Sequence, residues 1–254
     1  MNTINLIHQK ISQIPKVELH SHLEGTINPL LVRQIAERNS VKLSEDLFTR
    51  QGDYAWDDFV TFLQAYDEAS SCLMYSKDYR DITYDYLKSC ALEGVIYAET
   101  FISPDHAAEM GMSYEDVLSG CAQGIDDAET DFGIVGRIIV TCVRHLGPQQ
   151  ALRIVQQMVN QPHPCVVGFG MGGDESKYVL SDFTATFQIA IDAGYPCTVH
   201  AGEVCGAESM WDAINHLPMI SRIGHGVRCV EDDELIDALV SRNIALEICP
   251  GSNL

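Results

Sequence analysis

Residues 15–25 read PKVELHSHLEG, a short apolar run that ends in two histidines, His20 and His22. Residues two apart on a strand point to the same side, so both imidazoles can reach one ion if residues 17–20 form a strand. Six more short runs rich in Val and Ile mostly lack polar alternation, which is typical of parallel strands covered on both faces. These six strand candidates are residues 95–101, 134–142, 165–170, 197–200, 221–224 and 245–249.

Amphipathic helical patterns alternate with these strand candidates. Asn28 before Pro29 marks the start of one helix, and Ser113 with Asp116 forms a capping box ahead of another. Strands that alternate with helices of this length indicate βαβ units. Seven such strands predict an α/β fold of the (β/α)8 TIM barrel type, with a doubly wound sheet as the alternative. The predicted helices are residues 30–39, 117–128, 149–160, 183–193, 207–216 and 232–241.

Two features depart from a regular barrel. The stretch between the first two strand candidates, residues 29–89, is too long for one crossover helix. It is predicted to be a helical insertion that forms either a lid over the strand ends or helices on the barrel exterior. The chain ends at Leu254, directly after the seventh strand candidate, so we expect an eighth strand and its helix to be missing. With these exceptions, residues 1–254 are predicted to form a single barrel domain.

Composition and charge exclude several classes of partner. The chain has 254 residues, 46% of them hydrophobic, and its 16 basic residues against 36 acidic ones give a net charge of −20. A surface this acidic repels nucleic acid and anionic lipid, and no apolar run is long enough to span a bilayer. The acidic surface fits a monomer or an assembly equally well, so the oligomeric state stays open.

The cysteines and the N-terminus predict a cytoplasmic location. The nine cysteines include no C-x-x-C pair, which indicates reduced thiols, most of them small core residues. Residues 1–10 lack the basic and apolar regions of a signal peptide.

Three more polar side chains stand at the ends of strand candidates. His200 ends one strand and is followed by Glu203 in the run HAGE, and His225 follows another strand in RIGHG. In a barrel, the carboxyl ends of all strands meet at one mouth, where active sites are built. A solitary histidine is more often a hydrogen-bonded structural residue, but His20 and His22 together with His200 and His225 favour a metal site. Three imidazoles with an open position suit Zn²⁺, which supplies hydroxide for hydrolysis.

Glu203 has two interpretations on the sequence alone. It is a candidate acid for proton transfer beside the metal. It is also a candidate for a carboxylate at the N-terminus of the helix predicted over residues 207–216, where the helix dipole favours negative charge.

Taken together, these stretches resemble the adenosine deaminase family of zinc amidohydrolases. The resemblance rests on PKVELHSHLEG at 15–25, TVHAGE at 198–203 and RIGHG at 222–226, which stand in family order. Supporting stretches are FLQAYD at 62–67, GVIYAE at 94–99, SP at 103–104, GGDE at 172–175 and PGSN at 250–253. The resemblance implies a metal-dependent hydrolase.

The resemblance implies a role for each metal-site residue. His20, His22 and His200 match the family's histidine ligands of one Zn²⁺ per chain. Glu203 matches the acid that protonates purine N1, and His225 matches the histidine that orients and helps deprotonate the attacking water.

The resemblance also implies the substrate contacts. Glu24 matches the acidic residue that holds the ribose in the family. Gly173 matches the glycine whose backbone N–H meets the purine edge. His22 is expected beside the substrate as well as the metal. The implied partner is therefore a small purine nucleoside, and neither nucleic acid nor a membrane is expected.

The implied reaction is deamination of adenosine, and of deoxyadenosine with it, to the inosine product and ammonia in purine salvage. Gly224 before His225, and the run GDE at 173–175, resemble the nucleoside branch of the family, whereas relatives acting on free adenine are the alternative. The family's final strand bears an Asp pair, one of which ligates zinc, and that pair is expected beyond Leu254. A truncated remnant without catalysis is therefore a further alternative.

We predict that His20→Ala lowers the zinc content of the purified chain, because a site that loses one of three imidazoles binds the ion more weakly. Elemental analysis against the unsubstituted protein measures the effect. Unchanged zinc in the variant would contradict the ligand role of His20.

Overall fold

The chain forms two compact units in a computed structural model that describes residues 10–11, 14–217 and 219–253. The first unit comprises Met1–Thr100 and His106–Arg137, and the second comprises Phe101–Asp105 and Ile138–Leu254. The histidines near the N-terminus therefore belong to the first unit, and the later candidate site residues belong to the second.

Every predicted strand is present, with ends that differ from the prediction by at most two residues. The difference between predicted and observed ends reaches two residues at His22, where the first strand ends, because hydrophobic pattern alone does not mark the last paired residue. The strands are β1 (Lys16–His22), β2 (Val95–Ile102), β3 (Val135–Val143), β4 (Val166–Gly172), β5 (Thr198–Ala201), β6 (Arg222–His225) and β7 (Ala245–Glu247).

The helices confirm the six predicted patterns and add three. The additions lie in and after the long insertion at 29–89, whose role as a lid or as exterior packing stays a prediction. Of the helices described, none is both long enough and apolar enough to cross a bilayer. The helices are α1 (Pro29–Asn39), α2 (Phe59–Ser70), α3 (Ser76–Leu92), α4 (Pro104–Glu109), α5 (Tyr114–Phe132), α6 (Pro148–Asn160), α7 (Thr184–Asp192), α8 (Ala207–His216) and α9 (Asp233–Ser241).

Side-chain caps start two of these helices where the sequence predicts them. The Asn28 Oδ1 atom accepts hydrogen bonds from the backbone N–H groups of Leu30 and Leu31, at 3.0 and 2.9 Å. Ser113 and Asp116 form the reciprocal bonds of a capping box at the start of α5. Each cap satisfies backbone donors that have no partner inside the helix.

The strands of the second unit pair in parallel and in chain order. β3 pairs with β4, β5 with β6, and β6 with β7, and a parallel bridge between Phe169 and Cys197 links β4 to β5. All carboxyl ends in this unit therefore lie along one edge. In the first unit, β1 and β2 are hydrogen-bonded neighbours.

The nine cysteines carry free thiols, and all nine lie in the part of the chain that the structure describes. Six are buried, which confirms that most serve as small core residues. Burial raises the pKa of the Cys72 thiol to about 11 and that of Cys197 to about 12. These thiols stay protonated and unreactive at neutral pH.

Two glycines bring α5 close against α3 in the first unit. A Cβ at Gly120 would meet the carbonyl oxygen of Ser76, and one at Gly124 would lie 2.7 Å from both the Arg80 oxygen and the Thr83 Cβ atom. Because the neighbouring atoms are helix backbone or a β-branched side chain, they have little freedom to move away.

We predict that Gly124→Ala lowers the free energy of unfolding by about 1–3 kcal/mol, because overpacking at this contact outweighs the higher helix propensity of Ala. Urea titration followed by circular dichroism measures the change. The control is Gln123→Ala, at an exposed position of the same helix, which should change stability by less than about 0.5 kcal/mol. Equal stability of the two variants would contradict close packing of α5 on α3.

Candidate active site

The first unit presents two histidines at the end of β1. His20 and His22 are both half-buried, and their ring centroids lie 5.5 Å apart with an interplanar angle of 70°. The alternation of the strand places both rings together, as the spacing predicts. Two adjacent imidazoles offer neutral nitrogen ligands of the kind that zinc prefers.

Glu24 follows these histidines in the short 3-10 turn Leu23–Thr26. Only 1% of the residue is exposed, and the Tyr66 hydroxyl on α2 donates a hydrogen bond to its Oε2 atom at 3.1 Å. A buried carboxylate needs such a donor, because a carboxylate without one would lose its hydration uncompensated. No local pattern in the sequence assigns Tyr66 an individual role.

A cleft with a volume of about 110 Å³ opens beside Glu24 in the first unit. The rings of Trp56 and Phe62 lie 5.6 Å apart in a T-shaped arrangement and are partly exposed. An aromatic wall beside one carboxylate is typical of a site for a flat polar ring. The lining residues are Glu24, Gly25, Tyr54, Trp56, Phe62, Ala65, Tyr66 and Ala69.

In the second unit, His200 and His225 lie together at the carboxyl ends of neighbouring strands. Ala201 pairs with His225 and His200 pairs with Gly224, so the two histidines leave the ends of adjacent strands. Their ring centroids lie 5.0 Å apart, and both residues are buried. His225 has a φ angle of +63°, a left-handed conformation that is uncommon for a residue with a side chain and that concentrates at functional sites.

The Glu203 carboxylate lies against both imidazoles. Its Oε1 atom is 3.3 Å from His225 Nε2, and its Oε2 atom is 3.7 Å from His200 Nδ1. The acid in the first turn of α8 is instead Glu208, which accepts a hydrogen bond from the Gly206 N–H. The structure thus places Glu203 beside the histidines, and its role as a proton-transfer acid stays a prediction.

Asn253 holds the other side of the His225 ring. Its amide nitrogen lies 3.2 Å from His225 Nδ1, while Nε2 faces Glu203. The partner of one ring nitrogen determines which nitrogen carries the proton, so Asn253 and Glu203 together fix the orientation of the ring. The run PGSN contained this residue, but no local pattern assigned it to His225.

The loop after β4 requires a glycine at position 173. Its φ angle is +93°, and a Cβ there would lie 2.9 Å from His145 Nδ1. That nitrogen accepts a hydrogen bond from the Asp174 N–H at 3.2 Å. The loop backbone is therefore fixed next to the residue for which a purine contact is predicted, a contact that stays a prediction.

Comparison with known proteins supports the family that the sequence motifs resemble. The sequence profile named Adenosine deaminase matches residues 15–254. The chain is 44% identical over 243 residues to a protein of Agrobacterium fabrum named adenine deaminase, an alignment that covers 96% of this chain and 74% of that protein.

Solved structures of a deaminase and of an amidohydrolase resemble this chain in fold as well as in sequence. An adenine deaminase from Arthrobacter aurescens has a TM-score of 0.85 and 32% identity, covering 94% of this chain and 73% of its own. An amidohydrolase from Burkholderia ambifaria with bound Zn has a TM-score of 0.88 and 26% identity, covering 100% of this chain and 69% of its own.

These likenesses confirm the α/β, (β/α)8 barrel fold class, with β7 as the seventh strand, and define a deaminase-type hydrolase. The chain belongs to the adenosine deaminase family.

Proposed function

We propose that the chain deaminates free adenine hydrolytically, giving hypoxanthine and ammonia. The observation that carries this proposal is the Glu203 carboxylate beside His200 and His225, which provides an acid next to a candidate metal ligand. In this reaction one water molecule adds its oxygen to purine C6, and the amino group leaves that carbon as ammonia.

Each residue of the second unit then has a task. Glu203 in its protonated form donates to purine N1, which makes C6 electron-poor and open to attack. His225, oriented between Glu203 and Asn253, accepts a proton from the attacking water. The Gly173 N–H binds the purine edge, and Glu24 and His22 bind the substrate as the family's pattern implies.

We assign one Zn²⁺ to His20, His22 and His200, on the family's pattern and on the chemistry of three imidazole nitrogens. When bound, zinc would lower the pKa of a coordinated water so that a nucleophile is available near neutral pH. The zinc-bound relative from Burkholderia ambifaria supports this choice of metal. The Asp ligand expected beyond Leu254 stays a prediction.

Adenine is preferred over adenosine as the substrate for two reasons. The relatives with 40–44% identity are named adenine deaminase, so they favour the alternative over the nucleoside expected from Gly224 and the run GDE. The Glu24 carboxylate, to which a ribose contact was assigned, is buried and hydrogen-bonded by Tyr66 in a small aromatic cleft. A carboxylate that already accepts a hydrogen bond from the protein has fewer acceptor sites left for ribose hydroxyls, so Glu24 does not require a nucleoside.

We place the reaction in the cytoplasm, because nine free thiols are typical of proteins from reducing compartments. The partner is then a small free purine.

We predict that the chain, supplied with stoichiometric Zn²⁺, produces hypoxanthine from adenine with a kcat/KM at least about tenfold above that for adenosine, since the Glu24 carboxylate expected to hold a ribose is already hydrogen-bonded by Tyr66. Chromatography of the products and an ammonia assay measure both reactions. Faster release of inosine would support the nucleoside reaction instead. Zinc binding without product from either purine would contradict the proposal and support the non-catalytic alternative.

We predict that Glu203→Gln lowers kcat by about 10²- to 10⁴-fold with zinc content unchanged, because an amide cannot deliver the proton to N1. Glu208→Gln is the matched control, since that carboxylate lies five residues away, caps Gly206 and should leave turnover intact. Loss of zinc from Glu203→Gln would identify Glu203 as a metal ligand and contradict the assignment as proton donor.

A further inference from the structure

The Glu175 carboxylate makes an unusually dense set of contacts in the second unit. It follows β4 in the run GGDE, and only 3% of the residue is exposed. It accepts hydrogen bonds from four consecutive backbone N–H groups and from one hydroxyl. The donors are Gly202, Glu203 at 3.1 Å, Val204 at 2.9 Å, Cys205 at 2.9 Å and the Ser209 Oγ atom.

These bonds are strong enough to determine the shape of the segment that follows β5. A hydrogen bond to a charged group contributes about 1.5–3 kcal/mol, and the five donors to Glu175 are more than the roughly four lone-pair sites of a carboxylate, so its capacity to accept is filled. Successive N–H groups that converge on one anion form a concave backbone nest. Here a side chain of the same protein fills the nest.

The nest contains the proposed proton donor. The Glu203 N–H is itself one of the four donors, and Gly202 before it has a φ angle of +69° that fits the turn into the nest. The peptide groups on both sides of the Glu203 Cα atom are therefore held by Glu175. From this fixed backbone, the Glu203 side chain reaches His225 at 3.3 Å and His200 at 3.7 Å.

Arg144 fixes the segment from which Glu175 extends. This arginine is buried, and it donates hydrogen bonds to the carbonyl oxygens of Lys177 and Tyr178 at 2.7 and 2.9 Å. Burial lowers the pKa of Arg144, while the negative charge of Glu175 acts in the opposite direction. The segment that bears Glu175 is thus tied down only two residues beyond it.

We propose that Glu175 is a positioning residue for the deamination, which it serves by holding residues 202–205 so that the Glu203 carboxyl group points at purine N1. This inference rests on the proposed function. Glu175 touches neither the substrate nor the histidines in this role. It acts through the backbone, and its effect on rate comes from geometry, since a misplacement of about 1 Å can cost about 100-fold in rate.

The test is Glu175→Gln, which keeps the size of the side chain but replaces one acceptor oxygen by an NH2 group that faces backbone N–H donors. We expect the amide hydrogens of residues 202–205 to exchange about 10- to 100-fold faster, as the loss of one charge-assisted bond requires. In the zinc-loaded protein we expect kcat to fall about 10- to 100-fold, with KM within about twofold and zinc content unchanged.

Asp212→Asn is the matched control. Asp212 is also a carboxylate of the second unit that accepts a backbone N–H bond, from Leu180 at 2.7 Å, but it has no bond to residues 202–205. It should leave exchange at those residues and kcat unchanged. If Glu175→Gln fails to fold, Ser209→Ala removes a single donor to the same carboxylate and should give a smaller change in the same direction.

Three results would overturn the inference. Faster exchange at 202–205 with kcat retained would show that the contacts serve stability only. A higher KM with unchanged kcat would make Glu175 a determinant of substrate binding, and unchanged exchange would show that it does not hold the loop. Absence of product from the unsubstituted chain would overturn the proposed function and the catalytic half of the inference, while the exchange measurement would still decide whether Glu175 anchors the loop.

Discussion

The parallel pairing of β5 with β6 in one register is the constraint on which the active site depends. It places His200 opposite Gly224 and Ala201 opposite His225, so that two regular strands would turn the imidazoles to opposite faces, and the left-handed φ of +63° at His225 brings the two rings to the same side. Neighbouring strands are about 4.8 Å apart, and the two ring centroids lie 5.0 Å apart in consequence. An extended backbone at His225 would turn its ring to the opposite face of the sheet and leave Glu203 with one partner in place of two.

The sequence predicted the elements of the fold well, because their signals are local. Short runs of Val and Ile marked all seven strands, and side-chain caps at Asn28 and Ser113 marked helix starts that the structure contains. The left-handed backbone of His225 was not predictable, since a φ of +63° is unfavourable for histidine by itself and is imposed by its surroundings. The course of the long insertion at 29–89 likewise depends on packing partners distant in sequence.

The residue types of the candidate site could be predicted, but the contacts between its loops could not. Glu175 and Val204 are 29 residues apart and meet through side-chain-to-backbone bonds that leave no periodic trace in a sequence. The nucleoside expectation relied on the likeness of Gly224 and of the run GDE to one branch of the family, and such a likeness carries no information about contacts. In the structure the Glu175 carboxylate of that run accepts hydrogen bonds from the backbone N–H groups of residues 203–205, which no sequence pattern indicated.

The contact between α3 and α5 restricts how this protein can diverge. A Cβ atom at position 124 would press on the backbone oxygen of Arg80 as well as on Thr83, so a smaller residue at 83 would not relieve the contact. A descendant that gains a side chain at 124 must therefore separate the two helices. Glycine at this position would register drift in helix spacing long before the catalytic residues do.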